Sequence, residues 1–319
     1  MNFPTSLLLT FTLVGAFTTS CQVSQPMDCD VVSNTYVHRY GVPLDPREWT
    51  ERGQDGSVVS MRKDGVIVSR SYEAGILHGA CTYSFPYREV VKKKEIYEHG
   101  VITEEWQYYP NGLPFKQCIF ESPQQYSITV WYESGVPHAH EIYEEGKLTV
   151  AEYYTPSHQE ESRIDGGNGL RYCRSGKGEL ESVDTIQEGE MIMRTTYHLS
   201  GIPSSTTPYV NGVIQGKKCT YTEDGLPATI EEWERNVQHG NTLVFEHGEK
   251  VMCTPYVNGC KHGTESRYLD GDQVIQEVSW VKGKKHGPCY HYVENRKVTD
   301  WYFRDQLVNK ARYDMLCNQ

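Results

Sequence analysis

What this sequence lacks narrows its reading first. Beyond Leu7 to Phe17 it has no stretch apolar enough for a helix to cross a bilayer. It has no excess of basic charge: 31 Lys and Arg stand against 42 Asp and Glu, a net charge of −11. That argues against sequence-independent binding to nucleic acid, which needs a basic face, and against attachment to anionic lipid by charge alone. Enzyme signatures are missing too. Gly212 to Lys217 reads G-x-x-x-G-K, one residue short of a P-loop and without the following Ser or Thr. Ser175-Gly176-Lys177-Gly178 fails for the same reasons, His140-Glu141 is not followed by the second His of a zincin, and no G-x-S-x-G occurs. No catalytic residue, metal or cofactor is expected, and no nucleic-acid partner.

What is present is a repeat. From Pro208 to Asn295 four copies of one phrase follow each other, and a fixed period of 23 or 24 residues marks a repeat architecture. An aromatic opens each copy: Tyr209, Trp233, Tyr256 and Trp280. Three residues on stands a turn residue (Gly212, Asn236, Gly259, Gly283), and seven residues on a glycine (Gly216, Gly240, Gly263, Gly287). Twelve residues on comes a second aromatic, Tyr221, Phe245, Tyr268 or Tyr292, and then a second turn at Asp224-Gly225, Gly248, Gly271 and Asn295. Asn-Gly and Asp-Gly between aromatic and β-branched segments supply the positive φ that hairpin turns need. One hairpin cannot bury its apolar face alone, so copies are expected to stack edge to edge with aromatics laddered across the rungs.

The register runs along most of the chain. Trp49 opens a copy with Gly56, Tyr72 follows with Gly75 and Gly79, and Tyr97, Phe120 and Tyr143 continue it. Glu160 to Glu179 is degenerate, Ile186 resumes the pattern, and Phe303 begins a last partial copy that serves as a cap. Gly-x-Pro recurs at Gly112, Gly135, Gly201 and Gly225, with proline starting the next segment where no ladder N–H is required. The expected fold is all-β: an elongated single-layer antiparallel sheet of about twelve stacked β-hairpins. Residues 1–20 read as a signal peptide, 21–46 as a tether and N-terminal cap, and 47–315 as the array, degenerate near 160–179. The 23 Tyr and 6 Trp, in a chain only 38% hydrophobic, fit a thin sheet exposed on both faces.

The phrase resembles MORN repeats, in particular the degenerate bacterial variant of YwqK-like proteins. Gly283 to Gly287, reading Gly-Lys-Lys-His-Gly after Trp280, carries the resemblance best. It implies a scaffold, dimerisation or attachment module, and it brings no catalytic residues with it.

Other clusters have bland explanations. His78, His239, His262 and His286 each precede the phrase glycine, and successive copies would hold them about 10 Å apart, too far to share a zinc ion. His138 with His140, and Cys289 with His291, each offer two ligands and no evident third. The ten cysteines contain no Cys-x-x-Cys; Cys81, Cys173, Cys219 and Cys289 occupy similar places in separate copies, too far apart to bridge. Cys29 and Cys317 lie in the tails, where they could pair between molecules. Acidic pairs such as Glu104-Glu105 and Glu231-Glu232, and the basic run Lys92 to Lys94, read as solvated surface.

Leu7 to Phe17 has the length of a signal-peptide core, followed by Thr18, Thr19, Ser20 and Cys21. This is similar to a bacterial lipoprotein signal with Cys21 as the lipidated residue, although Met1 to Ser6 carries no Lys or Arg and Thr18 stands where Leu is usual. The expectation is an exported, lipid-anchored, non-enzymatic scaffold of a bacterial envelope, attached to the membrane through its N-terminal lipid and docking a protein partner along its sheet. The alternatives are a cytoplasmic antitoxin-like binder, or a carbohydrate-binding or hydrolytic protein using residues 160–179.

Overall fold

The computed structural model describes residues 30–294 and 296–318. Cys21, Cys29, the signal-like segment and the turn residue Asn295 lie outside them. Among the described residues the chain is all-β: one open antiparallel sheet of 27 strands in which consecutive strands pair as hairpins, an elongated repeat sheet. Among the described residues no helix is long and apolar enough to cross a membrane.

The turns follow from sequence. At Asn211-Gly212, Arg235-Asn236, Asn258-Gly259 and Lys282-Gly283 both central residues have positive φ, between 50° and 81°. This is the two-residue turn whose twist matches that of paired strands. At the other ends of many strands the loop is longer. Thr222 and Leu226 close around Gly225 through Thr222 N–H to Leu226 O at 2.8 Å and Gly225 N–H to Thr222 O at 2.9 Å. Each Gly-x-Pro proline is the first residue of its strand: Pro114–Phe120, Pro137–Glu144, Pro203–Val210 and Pro227–Glu234.

The phrase glycine has two causes. Gly216, Gly240, Gly263 and Gly287 have φ of 109°, 108°, 107° and 108°, a backbone that side chains resist. Each also stands across the ladder from an aromatic of the next strand: Gly216 from Trp233, Gly240 from Tyr256, Gly263 from Trp280 and Gly287 from Tyr302. A bare backbone opposite a large ring is a recurrent way to seat aromatics on a sheet.

The residue before that glycine stitches copies together. Its side chain accepts the N–H of the first residue in the next two-residue turn: Asp55 from Ala74 at 2.5 Å, His78 from His99 at 3.4 Å, Asn168 from Glu188 at 3.2 Å, Gln215 from Arg235 at 3.1 Å and His239 from Asn258 at 3.5 Å. The second turn residue donates to the strand below, as Gly100 N–H does to Leu77 O at 2.8 Å and Gly259 N–H to Gln238 O at 2.9 Å. His78 and His239 therefore cap turns that would otherwise leave a donor unpaired, whereas His286 packs against Phe303 and Tyr313.

The ends differ from the sequence expectation. The ladder begins before Trp49: Val31–His38, within the segment read as a tether and N-terminal cap, pairs along Gly56–Arg62. Trp49 opens no strand. It lies on the helix Pro46–Glu51, set by the Asp45 capping box with Pro46 in the first turn, and is buried against Tyr36 and Tyr72. At the far end the strand pair around Phe303 is followed by the helix Lys310–Cys317, whose Tyr313 packs on Trp301, Phe303 and His286. Near each end of the described array a helix thus packs an aromatic against the strands.

The degenerate stretch has a structural reason. The hairpin Glu160–Asp165 and Asn168–Arg174 pairs only at its turn, through Ile164 with Gly169 and Asp165 with Asn168. The sheet folds sharply around it. Leu148 N–H reaches Gly189 O at 3.1 Å, and Glu133 N–H reaches Gly176 O at 2.9 Å, across several intervening strands. A flat sheet would hold those groups more than about 10 Å apart. Inside this corner Ala139, Leu148, Ala151, Tyr153, Ile164 and Ile186 form the buried core.

Candidate functional site

The cross-strand register draws one row of residues down the middle of one face. It runs Arg70, Cys81, Glu95, Glu105, Cys118, Ile128, Glu141, Ala151, Ile164. Past the corner it continues Arg171, Asp184, Arg194, Thr207, and then Lys218, Glu231, Thr242, Thr254. Glu265, Val278, Cys289 and Asp300 end it. Much of this row is buried although the sheet is a single layer, because long neighbours on the same face fold over it.

Buried carboxylates in the row are neutralised and hydrogen-bonded, as burial of charge demands. Glu95 meets Lys93 Nζ at 2.8 Å and accepts from the hydroxyls of Tyr83 and Tyr97 at 3.2 and 3.1 Å. Burial, with Glu95 beside it, pushes the Tyr97 hydroxyl up to about 12. Glu141, 3% exposed, accepts from Arg171 Nε, the Tyr143 hydroxyl and the Tyr153 hydroxyl, each at 2.9 Å. Glu141 in turn holds the Arg171 guanidinium well above its ordinary pKa. Asp184 takes a two-pronged bond from Arg194 at 2.7 and 2.8 Å. Glu265 takes Lys261 Nζ at 2.6 Å and the Thr254 hydroxyl at 3.2 Å.

The opening aromatics of the phrase share this face. Tyr209, Trp233, Tyr256 and Trp280 each lie two residues beyond a row member and are half-buried. They do not build the ring-on-ring ladder the sequence suggests. Ring stacking is found in the first half of the array, as in Trp106 on Trp131 at 5.8 Å and Tyr126 on Tyr143 at 4.8 Å. In the last copies lysines intervene: Lys218 over Trp233 at 5.7 Å, Lys261 over Trp280 at 4.6 Å, and Lys285 over Trp280 and Tyr302 at 5.9 and 5.2 Å. A cation over a ring is attracted by its quadrupole, and a lysine beside a buried glutamate serves both. Trp233 donates its indole N–H to Glu231 at 2.9 Å, whereas Trp280 has Val278 in that place and its buried Nε1 has no protein partner.

The second aromatics sit at the far ends of their strands. β-bulges fall at Tyr221, Phe245 and Tyr268, and Tyr292 donates its hydroxyl to Glu277 at 2.6 Å. Beyond the first row, Phe85, Tyr108, Tyr109 and Phe115 line a shallow groove with Lys92 and Lys93. Of the basic run, Lys93 is drawn into the row, where it bridges Glu95 and Glu105, while Lys92 stays exposed. The cysteines Cys81, Cys118 and Cys289 are buried in the row, and burial raises all three thiols above their ordinary pKa, Cys118 to about 11. They are unpaired, as are Cys173, Cys219, Cys253, Cys260 and Cys317. Of the two local pairs noted in sequence, Cys289 Sγ lies 3.4 Å from His291 Nε2, while His138 is buried with its ring tilted against Tyr132, away from His140, which meets Thr129.

No family model matches this chain, and no curated protein matches it. Among solved structures it is similar to the crystal structure of TcdB2-TccC3-Cdc42, at 13% identity over 90% of this chain, with a TM-score of 0.21. It is also similar to TcdB2-TccC3 without its hypervariable C-terminal region, at 13% identity over 87% of this chain, with a TM-score of 0.23. The chain spans 17% and 16% of the length of those two chains.

Proposed function

We propose that this chain is a non-enzymatic binding scaffold that docks a protein partner along one face of its sheet. The observation that supports this is the lane of half-buried rings and lysines beside the central row: Lys218 and Trp233, then Lys261, Lys285, Trp280 and Tyr302. Rings and long cations arranged at the repeat spacing offer a partner both apolar area and hydrogen-bond donors, and Tyr and Trp are favoured at interface cores. Glu231 at 4.0 Å and Glu265 at 2.6 Å hold Lys218 and Lys261 in place, so this part of the surface is ordered before a partner arrives, which lowers the entropy cost of binding. The MORN-like reading of the phrase is compatible with such a role and is part of this proposal.

Placement at a membrane surface through a lipid on Cys21 completes the proposal. Two experiments test it. A photo-crosslinking residue at Tyr256, on the row's face, should yield a discrete adduct in native membranes, while one at Ser266, on the other face, should not. Equal adducts from both positions, or none from Tyr256, would overturn docking on this face. The intact mass of the membrane-fractionated protein should show a chain beginning at Cys21 with a diacylglyceryl-size increase, lost in Cys21→Ala. An unprocessed chain beginning at Met1 would overturn the anchor.

A further inference from the structure

We propose that Glu73, His78 and His99 form a binding site for a divalent cation of borderline softness, zinc being the probe of choice. One ligand atom from each of the three lies within 4.8 Å of the others. His78 Nε2 is 3.6 Å from Glu73 Oε2, and the two imidazole rings are 5.1 Å apart, edge to face. Two imidazoles and a carboxylate are a zinc ligand set that leaves a further position open for water or an outside ligand.

The backbone makes the meeting permanent. Glu73 ends its strand at the turn Ala74-Gly75, and His78 follows early in the next strand. His99 is the first residue of the next copy's turn, held in positive φ at 49°. The N–H of Gly100 to Leu77 O fastens that turn to the strand that carries His78. Around a tetrahedral ion with bonds near 2.1 Å, ligand atoms lie roughly 3.4 Å apart. The side chains must close by up to about 1.4 Å, and they do so at the ends of paired strands, where Glu73 and His99 are exposed and His78 is half-buried.

The repeat itself supplies the control. In several copies the residue before the phrase glycine serves only as a hydrogen-bond acceptor, as Gln215 does for Arg235. In other copies the three equivalent positions hold Val210, Gln215 and Arg235; Glu234, His239 and Asn258; or Val257, His262 and Lys282. Only the copy opened by Tyr72 adds both a carboxylate and a second imidazole to the capping histidine, and neither is needed for the stitch. In the metal-free chain the His78 ring takes the His99 N–H at Nδ1, which leaves its proton on Nε2 facing Glu73. The cation takes the place of that proton. The ring's single proton passes to Nδ1, and the His99 amide turns to water at an exposed edge.

The test is titration of the full chain with zinc chloride by calorimetry, together with the visible spectrum of the cobalt-loaded protein. His78→Gln keeps the turn cap and removes a ligand; His99→Asn keeps a residue tolerant of positive φ, as Asn258 is at 50°. Each should weaken zinc binding by about tenfold or more, since even the loss of a supporting group around a bound metal costs about that much. The cobalt spectrum should show no thiolate charge transfer. Asn258→His should create a second site with Glu234 and His239. Zinc binding unchanged in His78→Gln and His99→Asn, no binding by the unaltered chain, or cobalt bound through thiolate would overturn the proposal.

Discussion

Trp280 stands directly across the ladder from Gly263. At φ 107° a Cβ on Gly263 would come 3.1 Å from Pro255 Cγ. Pro255 is on the opposite face from the ring, since it neighbours Thr254 and Tyr256 along a strand. The glycine therefore turns its missing side chain away from Trp280 and leaves the ring's face clear. The repeat period is the distance between such pairs.

Gly263→Ala should destabilise its neighbourhood by about 1–3 kcal/mol, the cost of a strained backbone plus displacement of Pro255. A long array need not unfold in one step, so amide hydrogen exchange in Glu249–Val257 and Gly263–Leu269 is the proper measurement. Faster exchange confined to these strands is expected. No change would mean that the positive φ relaxes freely.

The corner makes a second prediction. Glu141 and Arg171 belong to strands that are three apart in the ladder, and their 2.9 Å contact spans the fold of the sheet. Glu141→Ala leaves Arg171 without its counter-charge and the Tyr143 and Tyr153 hydroxyls without their acceptor. A loss of about 3–5 kcal/mol is expected, read by hydrogen exchange of Pro137–Glu144 and Asn168–Arg174. Glu141→Gln should recover part of it by keeping hydrogen bonds without the charge.

Thiol chemistry follows burial. Only the thiolate reacts, and burial holds the thiols of Cys81, Cys118 and Cys289 high while Cys260 and Cys317 are exposed. Brief treatment with an alkylating reagent should label Cys260 and Cys317 first, with the three row cysteines modified only after unfolding. Peptide mass mapping checks the order. Early labelling of Cys118 would show that the row opens in solution.

Much of the fold was legible because its signals are local. Asn258-Gly259 announces a two-residue turn, and Gly225-Leu226-Pro227 announces a loop and the start of a strand, without reference to anything distant. The ends were not legible in the same way, because Trp49 keeps the repeat's spacing while Asp45 and Pro46 set a helix, and capping chemistry outweighed periodicity. The corner appeared only as missing period: Gly166 and Gly167 make its turn, but the contacts that fold the sheet are non-local. The same holds for Glu73, His78 and His99. Separation along the phrase misleads there, since the turn that carries His99 is stitched onto the strand of His78, and histidines at like positions of successive copies were the wrong pair to compare.

Acidity should loosen the corner through His138. Its ring is buried, tilted against Tyr132 with the ring centres 4.9 Å apart, and its Nε2 has no protein partner. Burial lowers its pKa below the ordinary value; Glu141 and Glu161 oppose this, as does a hydrogen bond to the Tyr172 backbone, and Arg174 adds to it. The folded ring thus holds a proton less tightly than the unfolded one, so the unfolded chain takes up more protons as pH falls. The contribution is whole above the unfolded value near 6.5 and is lost progressively as pH falls below it toward the folded value. The opening free energy of Pro137–Glu144, read by amide hydrogen exchange corrected for its intrinsic pH dependence, should be flat between about pH 7 and 8 in the unaltered chain and decline below about 6.5. His138→Phe keeps a ring against Tyr132 and removes the titration, so its decline should begin only where carboxylates titrate, below about pH 5. Identical profiles for the two proteins between those limits would show that His138 is protonated in the folded corner without cost.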